Sequence, residues 1–277
     1  MGGRYGAFTF CDRITEYVPA RRARATFAVP PTLSQFSPCL VAEATGQLAA
    51  WVSMAHIGFR GRPVAALARD VRMLGDVHPG DTLTLEVDVE ECDDDAVFYQ
   101  GRARVGDREA VQLIDCLGPM LPQDDYDSAD DLAHQFALLC GEGAAPLRFG
   151  GVGVHAMDVV SSTDDARSAR LHVPIDAPYF VDHFPRRPVF PATLLLDHAM
   201  RVAADLVGTT DARPRRVSRV HNVKMRDFIR PGEDVELQVS RVEPGDDDTR
   251  VKLMAKIGER TVATAQFVFV RAAVEVA

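Results

Sequence analysis

The sequence contains two copies of one pattern, separated by about 152 residues. A Pro-Gly-Asp turn at 79–81 and a Pro-Gly-Glu turn at 231–233 each precede a segment in which apolar and polar residues alternate. The same offset relates the glycine turns at 105–107 and 257–259. Alternation with a period of two is typical of strands that have one covered face. Several features in the same order at one offset predict a duplicated chain whose halves share a fold.

Each half also contains one long apolar segment with helical character, at about 38–55 and 191–207. These segments are apolar on nearly every face, so the helices are expected to be buried rather than to lie on a surface. The strands that follow are predicted to pair as antiparallel sheets. We therefore expect an α+β fold in which a curved antiparallel sheet wraps around a central helix in each half.

The region between the halves is acidic and interrupts the strand pattern. We place the N-terminal unit at 1–121, an acidic linker at 122–147 and the C-terminal unit at 148–277. Charge runs of this kind are usually solvated, so the linker is predicted to be a solvated spacer with one short helix over Leu132–Leu139.

Composition excludes several classes of function. The chain of 277 residues is 47% hydrophobic and 26% charged, which is typical of a globular protein. No apolar run approaches the roughly 18 residues of a membrane span, and 1–6 lacks a signal-peptide core, so a cytoplasmic protein without a membrane partner is expected. A net charge of −9 disfavours nucleic acid as a partner. The five cysteines show no metal-binding spacing, so we expect reduced thiols and no metal.

The segment most indicative of chemistry is 182–191, Asp-His-Phe-Pro-Arg-Arg-Pro-Val-Phe-Pro, which leads directly into the second helical segment. Three prolines stiffen the backbone around His183. Asp197 follows 14 positions later, inside the predicted helix. A neutral imidazole accepts protons near pH 7, and a carboxyl group that apolar surroundings keep protonated can donate one. This pairing predicts general acid–base catalysis.

The segment resembles the β-hydroxyacyl-ACP dehydratases of fatty acid and polyketide synthesis, whose signature HFPxxPVMPG precedes a helix that carries Glu or Asp. The resemblance implies a hotdog fold, and two such units in one chain would form a double hotdog. It implies that His183 is the base, that Asp197 occupies the position of the acid and that no cofactor is needed. Ala192 replaces the glycine that is usual in the family, and Arg186 and Arg187 replace a small or neutral pair.

The two halves differ at the loop that carries the histidine. Val29-Pro30 matches Val173-Pro174 at an offset of 144, so ten residues are missing before the first helix. The first half thus lacks the base but keeps a carboxylate, Glu43. In the family, the histidine of one subunit works with the acid on the partner's helix, which implies that His183 pairs with Glu43. Gln47, one helical turn after Glu43, supports this pairing, while Asp197 is left as either a second acid or a structural residue.

Further residues are assigned to binding. The backbone N–H of Ala192, at the start of a helix, is expected to polarise the thioester carbonyl. We expect Gln47, Phe184 and Pro191 to contact substrate as well. Arg186 and Arg187 are predicted to dock an acidic acyl carrier protein. A second basic run either adds to this patch or is a solvated loop; it comprises Arg213, Arg215, Arg216 and Arg219. His198 and His221 are predicted to be structural.

The resemblance implies dehydration of a 3-hydroxyacyl thioester, held on acyl carrier protein, to a trans-2-enoyl thioester. A hotdog thioesterase is one alternative, since it also uses a helix carboxylate. Hydration of an enoyl-CoA, isomerisation to a 3-enoyl product, and an inactive hotdog that binds carrier protein or serves as a scaffold are the others. A homodimer of double hotdogs is left open.

Overall fold

The computed structural model describes residues 5–208, 215–242 and 248–271. The N-terminal half has one helix, and its elements are β1 (Arg13–Val18), β2 (Arg22–Ala28), α1 (Pro38–His56), β3 (Gly61–Pro63), β4 (Leu67–Met73), β5 (Thr82–Cys92), β6 (Ala96–Val105) and β7 (Arg108–Pro122). The linker contains α2 (Ala129–Cys140). The C-terminal half comprises β8 (Met157–Ser162), β9 (Ala166–His172), α3 (Ala192–Gly208), β10 (Arg215–Met225), β11 (Asp234–Arg241), β12 (Asp248–Ile257) and β13 (Arg260–Arg271).

All of these strands belong to a 13-stranded antiparallel arrangement, in the order β1-β2-β5-β6-β7-β4-β10-β13-β12-β11-β9-β8, with β3 on β7. The two halves of this order mirror each other about the β4–β10 pair. From the outer edge inward, one half runs β1, β2, β5, β6, β7, β4 and the other runs β8, β9, β11, β12, β13, β10. The matched strands carry the residues that the sequence repeat relates at an offset of 152. The duplication is therefore a structural one, with the two halves related by a pseudo-twofold axis.

The halves meet where β4 pairs with β10. Val71 lies opposite Val220 and Arg72 opposite Arg219, and α1 contacts α3 on the inner side of the sheet. Joining the two sheets removes one exposed edge from each, and exposed edges favour aggregation. The prediction of two hotdog units with sheets joined edge to edge and helices side by side is confirmed.

Side-chain burial follows the predicted alternation. In β5, Leu83, Leu85 and Val87 are fully buried, while the residues between them retain exposure. The matched strand β11 buries Val235 and Leu237 in the same way. Full burial of each such side chain contributes about 1.5–3 kcal/mol. These residues form the floor on which α1 and α3 pack.

The start of α1 is set by a cap. The Ser37 hydroxyl accepts a hydrogen bond from the backbone N–H of Cys39 at 3.1 Å, and Pro38 occupies the first helical position, where its missing N–H costs nothing. From this start, Glu43 and Gln47 fall on one face of α1, four residues apart. None of the helices in the described ranges combines the length and the apolar character needed to cross a membrane.

The prediction of a solvated linker is wrong, although its helix was predicted. In α2, Leu132 and Leu139 are buried, and the ring of Phe136 stacks on Trp51 with centroids 6.3 Å apart. The acidic residues lie in the first turn of α2, where the helix dipole favours negative charge, so they leave its inner face apolar. Tyr126, before α2, is also buried. The boundaries at 121 and 147 stay predictions, since the linker shares a core with the N-terminal half.

A glycine allows α1 to approach the sheet closely. A Cβ atom added to Gly101 in β6 would lie 2.6 Å from Cγ2 of Thr45 and 3.0 Å from the carbonyl oxygen of Glu86. Thr45 is fully buried in α1 and the Glu86 carbonyl belongs to the neighbouring strand, so neither atom can move freely. The position of α1, and with it that of Glu43, depends on this contact.

We predict that Gly101→Ala lowers the free energy of unfolding by about 1–3 kcal/mol, because the added methyl group overpacks the contact between helix and sheet. Urea denaturation followed by circular dichroism measures this change. Gly150→Ala is the matched control, since no atom lies within 4 Å of the Cβ that it adds and its φ angle is ordinary. Equal stability of the two variants would contradict the prediction.

Candidate active site

The histidine loop lies between β9 and α3. It spans 173–191, nineteen residues, whereas the matching connection between β2 and α1 spans 29–37, nine residues. The ten extra residues carry His183, as predicted. The loop is tied to itself by hydrogen bonds from the His183 N–H to the Tyr179 carbonyl at 2.9 Å and from the Val189 N–H to the His183 carbonyl at 3.1 Å. The loop is therefore a fixed support for the imidazole.

The side chain of His183 is held in one tautomer. Its Nδ1 lies 3.0 Å from the carbonyl oxygen of Val189. A carbonyl can only accept, so Nδ1 carries the proton and Nε2 keeps a lone pair. The ring of Phe184 stacks on the imidazole with centroids 4.2 Å apart, and Phe8 packs edge-on at 5.6 Å. The free nitrogen is thus oriented to accept a proton.

Burial lowers the pKa of His183 from its ordinary value. The negative charge of Glu43 acts in the opposite direction and raises this pKa, while the positive charge of Arg62 lowers it. The guanidinium carbon of Arg62 lies 4.1 Å from the ring centroid of Phe184. The pKa of His183 is lowered overall, so the imidazole is neutral near pH 7, which is the form that a base requires.

The carboxylate of Glu43 is fixed by groups from both halves. Gln47 donates its Nε2–H to Oε1 at 2.9 Å, and the hydroxyl of Thr193, in α3, donates to Oε2 at 2.7 Å. Gln47 is itself held by the carbonyl of Phe8 at 2.9 Å and by the N–H of Phe10 at 3.0 Å. The setting of Glu43 is therefore not purely apolar, because two hydrogen-bond donors converge on the carboxylate.

His183 and Glu43 line one cavity of about 440 Å³, whose walls come from both halves. Three residues predicted to bind substrate also line it, namely Gln47, Phe184 and Ala192. The N–H of Ala192, the first residue of α3, has no protein acceptor among the described residues. Pro191 does not line this cavity, contrary to our prediction. Its carbonyl instead accepts hydrogen bonds at the start of α3 from the N–H groups of Leu194 and Leu195.

Asp197 lies outside this cavity. Its Oδ2 accepts a hydrogen bond from Nη2 of Arg201 at 2.7 Å, and its Oδ1 accepts one from the hydroxyl of Ser37. The loop that faces Asp197 is the short connection 29–37, so no histidine equivalent to His183 can reach it. The structure brings Glu43, and not Asp197, together with His183. A catalytic role for Asp197 therefore receives no geometric support.

A chain of aromatic and imidazole groups lies near Asp197. Nδ1 of His155 is 2.8 Å from Nε2 of His198, and Nε2 of His155 is 3.0 Å from the hydroxyl of Tyr179. Burial lowers the pKa of His198 to about 3, so this ring stays neutral. These contacts agree with the structural role predicted for His198.

Sequence patterns did not identify the N-terminal segment as part of the site. The carboxylate of Asp182 accepts hydrogen bonds from the N–H groups of Tyr5 at 2.6 Å and of Ala7 and Phe8 at 2.8 Å. This anchor places Phe8 against His183. The position of Asp182, directly before the histidine, was the one available signal, but nothing in the sequence pointed to its partners.

The predicted docking residues contact the linker. Nη1 of Arg186 donates to the carbonyl of Asp124 at 2.8 Å, and the guanidinium of Arg187 lies 5.7 Å from the ring centroid of Tyr126. Both arginines are exposed. In the second basic run, Arg215, Arg216 and Arg219 belong to β10, so the alternative of a solvated loop is wrong for them. Arg213 lies outside the described residues.

Over the described ranges, no three or more His, Cys, Asp or Glu side chains are grouped in a way that could hold a metal ion. All five cysteines are free thiols.

Comparison with known proteins supports the assignment of the C-terminal half. Residues 159–266 match the family model of ApeI-like dehydratases, described as ApeI dehydratase. The chain is 26% identical over 119 residues to the 3-hydroxyacyl-[acyl-carrier-protein] dehydratase FabZ of Lactobacillus helveticus, a match that covers 41% of this chain and 80% of that protein.

Solved structures resemble most of the chain at low sequence identity. The 12:0-ACP thioesterase from Umbellularia californica is 10% identical with a TM-score of 0.54, covering 91% of this chain and 94% of that one. An acyl-ACP thioesterase from Bacteroides thetaiotaomicron is 13% identical with a TM-score of 0.51, covering 90% and 97%. At such identity these likenesses concern the fold alone. The chain thus has a double hotdog fold, and its C-terminal half, which carries the histidine loop, is similar to hotdog-fold 3-hydroxyacyl-[acyl-carrier-protein] dehydratases.

Proposed function

We propose that the protein removes water from a 3-hydroxyacyl thioester, carried on acyl carrier protein, to give a trans-2-enoyl thioester. One observation carries this proposal. His183, whose Nε2 keeps a lone pair, lines the same cavity as the Glu43 carboxylate of the other half. A group that accepts a proton and a second group that gives one together supply the acid–base catalysis that elimination of water uses.

The proposed reaction begins with the thioester carbonyl on the N–H of Ala192, where the start of α3 stabilises developing negative charge. Nε2 of His183 removes the proton from C2. The electron pair forms the C2–C3 double bond as the C3–O bond breaks. Glu43, in its protonated form, gives its proton to the departing hydroxyl, which leaves as water. Proton transfer from the imidazolium of His183 to the carboxylate, directly or through water, restores the starting state.

A substrate hydroxyl can reach Glu43 by taking the place of one existing donor. The Thr193 hydroxyl is suited to this exchange, because it can rotate away while Gln47 continues to hold the other oxygen of Glu43. Gln47 thereby serves to position the carboxylate rather than to contact the reacting atoms.

A thioesterase is the main competing function, since the compared structures are thioesterases. Hydrolysis needs a carboxylate and a water molecule but gives no role to the ten extra residues that hold His183. The two reactions have different products. Dehydration lowers the mass of the acyl group by one water, whereas hydrolysis releases a free thiol.

We predict that His183→Ala and Glu43→Gln each lower the kcat for dehydration by about 10²–10⁴-fold, the usual contribution of a general acid or base. Asp197→Asn should keep activity within about tenfold, because Asp197 lies outside the cavity. Mass spectrometry of 3-hydroxyacyl carrier protein, with circular dichroism to verify folding, measures this. Full activity of Glu43→Gln combined with loss in Asp197→Asn would show that the pairing between halves is wrong.

The pH dependence of kcat/KM should reflect the lowered pKa of His183. Below this pKa the imidazole is protonated and cannot act as the base, so activity should fall on the acid side at a pH below 6.5. Arg62→Gln removes a positive charge that lowers the pKa, so the acid limb should move to higher pH. Arg62→Lys keeps the positive charge, so the acid limb should stay at its wild-type pH. Arg60→Gln is the control, since Arg60 is exposed and pairs with Asp94. An unmoved limb in Arg62→Gln would contradict this account.

Carrier binding is a separate part of the proposal. An acidic carrier needs a local basic patch on this acidic chain, and the exposed Arg186 and Arg187 lie in the histidine loop itself. We predict that reversing both to Glu lowers turnover of carrier-bound substrate at least tenfold more than turnover of a pantetheine thioester. The difference should shrink in high salt, which screens surface charge. Arg22→Glu is the control, since Arg22 is exposed on β2, pairs with Asp88 and belongs to neither basic group. Equal losses on both substrates would indicate that the arginines only hold the loop against the linker.

A further inference from the structure

One polar side chain in the cavity has no part in the proposed reaction. Tyr99, in β6, lines the cavity. Burial raises the pKa of Tyr99 well above its ordinary value, and the charges of Cys116 and Glu43 add to this. The phenol is therefore neutral at any physiological pH and able to donate a hydrogen bond.

The hydroxyl of Tyr99 lacks a strong partner. Tyr99 lies directly opposite Cys116 of β7, so both side chains project from the same inner face of the sheet. The Cys116 thiol is its polar neighbour, and thiols are weak hydrogen-bond acceptors. Within the described ranges, the Tyr99 hydroxyl makes no hydrogen bond to an oxygen or nitrogen atom of the protein. Tyr99 is partly buried and faces the cavity, so a ligand that covers its hydroxyl without supplying a partner costs free energy that a ligand oxygen would recover.

The hydroxyl lies close to the place where the reaction would occur. A Cβ added to Gly46 would be 3.3 Å from the Tyr99 oxygen, so the absence of a side chain at Gly46 opens the space in front of the phenol. Gly46 is three residues after Glu43 on α1, and residues at this spacing share a helix face about 5–6 Å apart. The Tyr99 oxygen is thus about one helical turn beyond Glu43.

The part of the cavity wall around the Tyr99 hydroxyl is apolar. Beyond Gly46 the same face of α1 contributes Ala50 and Met54, and the facing strands contribute Val97 and Leu113. An unsubstituted alkyl chain in this space would cover the hydroxyl without satisfying it. A chain with an oxygen at the right position would leave the alkyl contacts intact and supply the missing partner.

We propose that Tyr99 recognises a second oxygen on the acyl chain, a hydroxyl or keto group at C5, and so selects 3-hydroxyacyl thioesters that are oxygenated at both C3 and C5. The inference rests on the proposed function, which places C3 at Glu43. In an extended chain, C5 is the next carbon whose substituents project to the same side as those of C3. A site built to hydrogen-bond a substrate hydroxyl discriminates strongly against the analogue that lacks it, because its own polar group is then left unpaired.

The test compares 3-hydroxyhexanoyl with 3,5-dihydroxyhexanoyl pantetheine thioesters as substrates of the wild-type protein and of Tyr99→Phe. We expect the wild type to favour the dihydroxy substrate at least tenfold in kcat/KM. Tyr99→Phe should lose this preference by a drop on the dihydroxy substrate, with turnover of the monohydroxy substrate within twofold. Tyr17→Phe is the matched control, because Tyr17 packs against Phe136 of α2 and does not line the cavity. Equal turnover of both substrates by the wild type, or equal losses in Tyr99→Phe, would overturn the inference.

A binding experiment separates this inference from the proposed function. Amide analogues of hexanoyl-pantetheine and 5-hydroxyhexanoyl-pantetheine lack the C3 hydroxyl and the thioester, so they can only bind. Titration calorimetry should show tighter binding of the 5-hydroxy analogue to the wild type, and no difference with Tyr99→Phe. That result supports the role of Tyr99 even if neither hydroxyacyl thioester loses water, which would refute the dehydratase proposal alone. Absence of a difference in the wild type would refute the role of Tyr99.

Discussion

The pairing of β4 with β10 is the interaction on which the candidate site depends. This one ladder joins two sheets into a continuous surface and sets α1 beside α3. The cavity then lies between elements of both halves, with Glu43 supplied by α1 and His183 by the loop before α3. Thr193 of α3 donates to Glu43 across the same boundary. Neither half could form this arrangement alone, because each contributes only part of it.

Duplication in one chain permits the two equivalent positions to diverge. In a symmetric dimer both sites must carry the same residues, since one gene encodes both. Here the position equivalent to Glu43 is Asp197, and the position equivalent to Gln47 is Arg201. The amide of Gln47 holds the Glu43 carboxylate in the cavity, whereas Arg201 forms an ion pair with Asp197 and Ser37 closes its other side. The second position has become a buried structural contact beneath a loop that is ten residues shorter.

The fold was predictable because a repeat leaves a periodic record in the sequence. The turns at 79–81 and 231–233, the alternating strands after them and the unequal loops could all be read in order. The linker was predicted wrongly because its charge hides an inner face made by Leu132 and Leu139. Gln47 was placed beside Glu43 from its spacing, but the second donor to Glu43 and the donors to Asp182 could not be anticipated. Thr193 lies 150 positions from Glu43, and the N–H groups that bind Asp182 belong to backbone at the start of the described chain. Contacts of this kind have no periodicity, and a backbone donor has no residue signature.

The linker helps to keep the histidine loop in place. The ring of Tyr126 packs edge-on against Phe184 with centroids 5.4 Å apart, and its carbonyl accepts the N–H of Arg186 at 3.0 Å. The ring of Phe184 in turn stacks on the imidazole of His183, and the guanidinium of Arg62 lies over the ring of Phe184. The segment that joins the halves is thus packed behind the imidazole of His183. Because an imidazole must be held in one orientation to work as a base, a linker that only spanned the gap between the halves would not suffice. Tyr126 is buried in this packing, and Arg186 makes a further contact with Asp124 on the acidic surface of the linker.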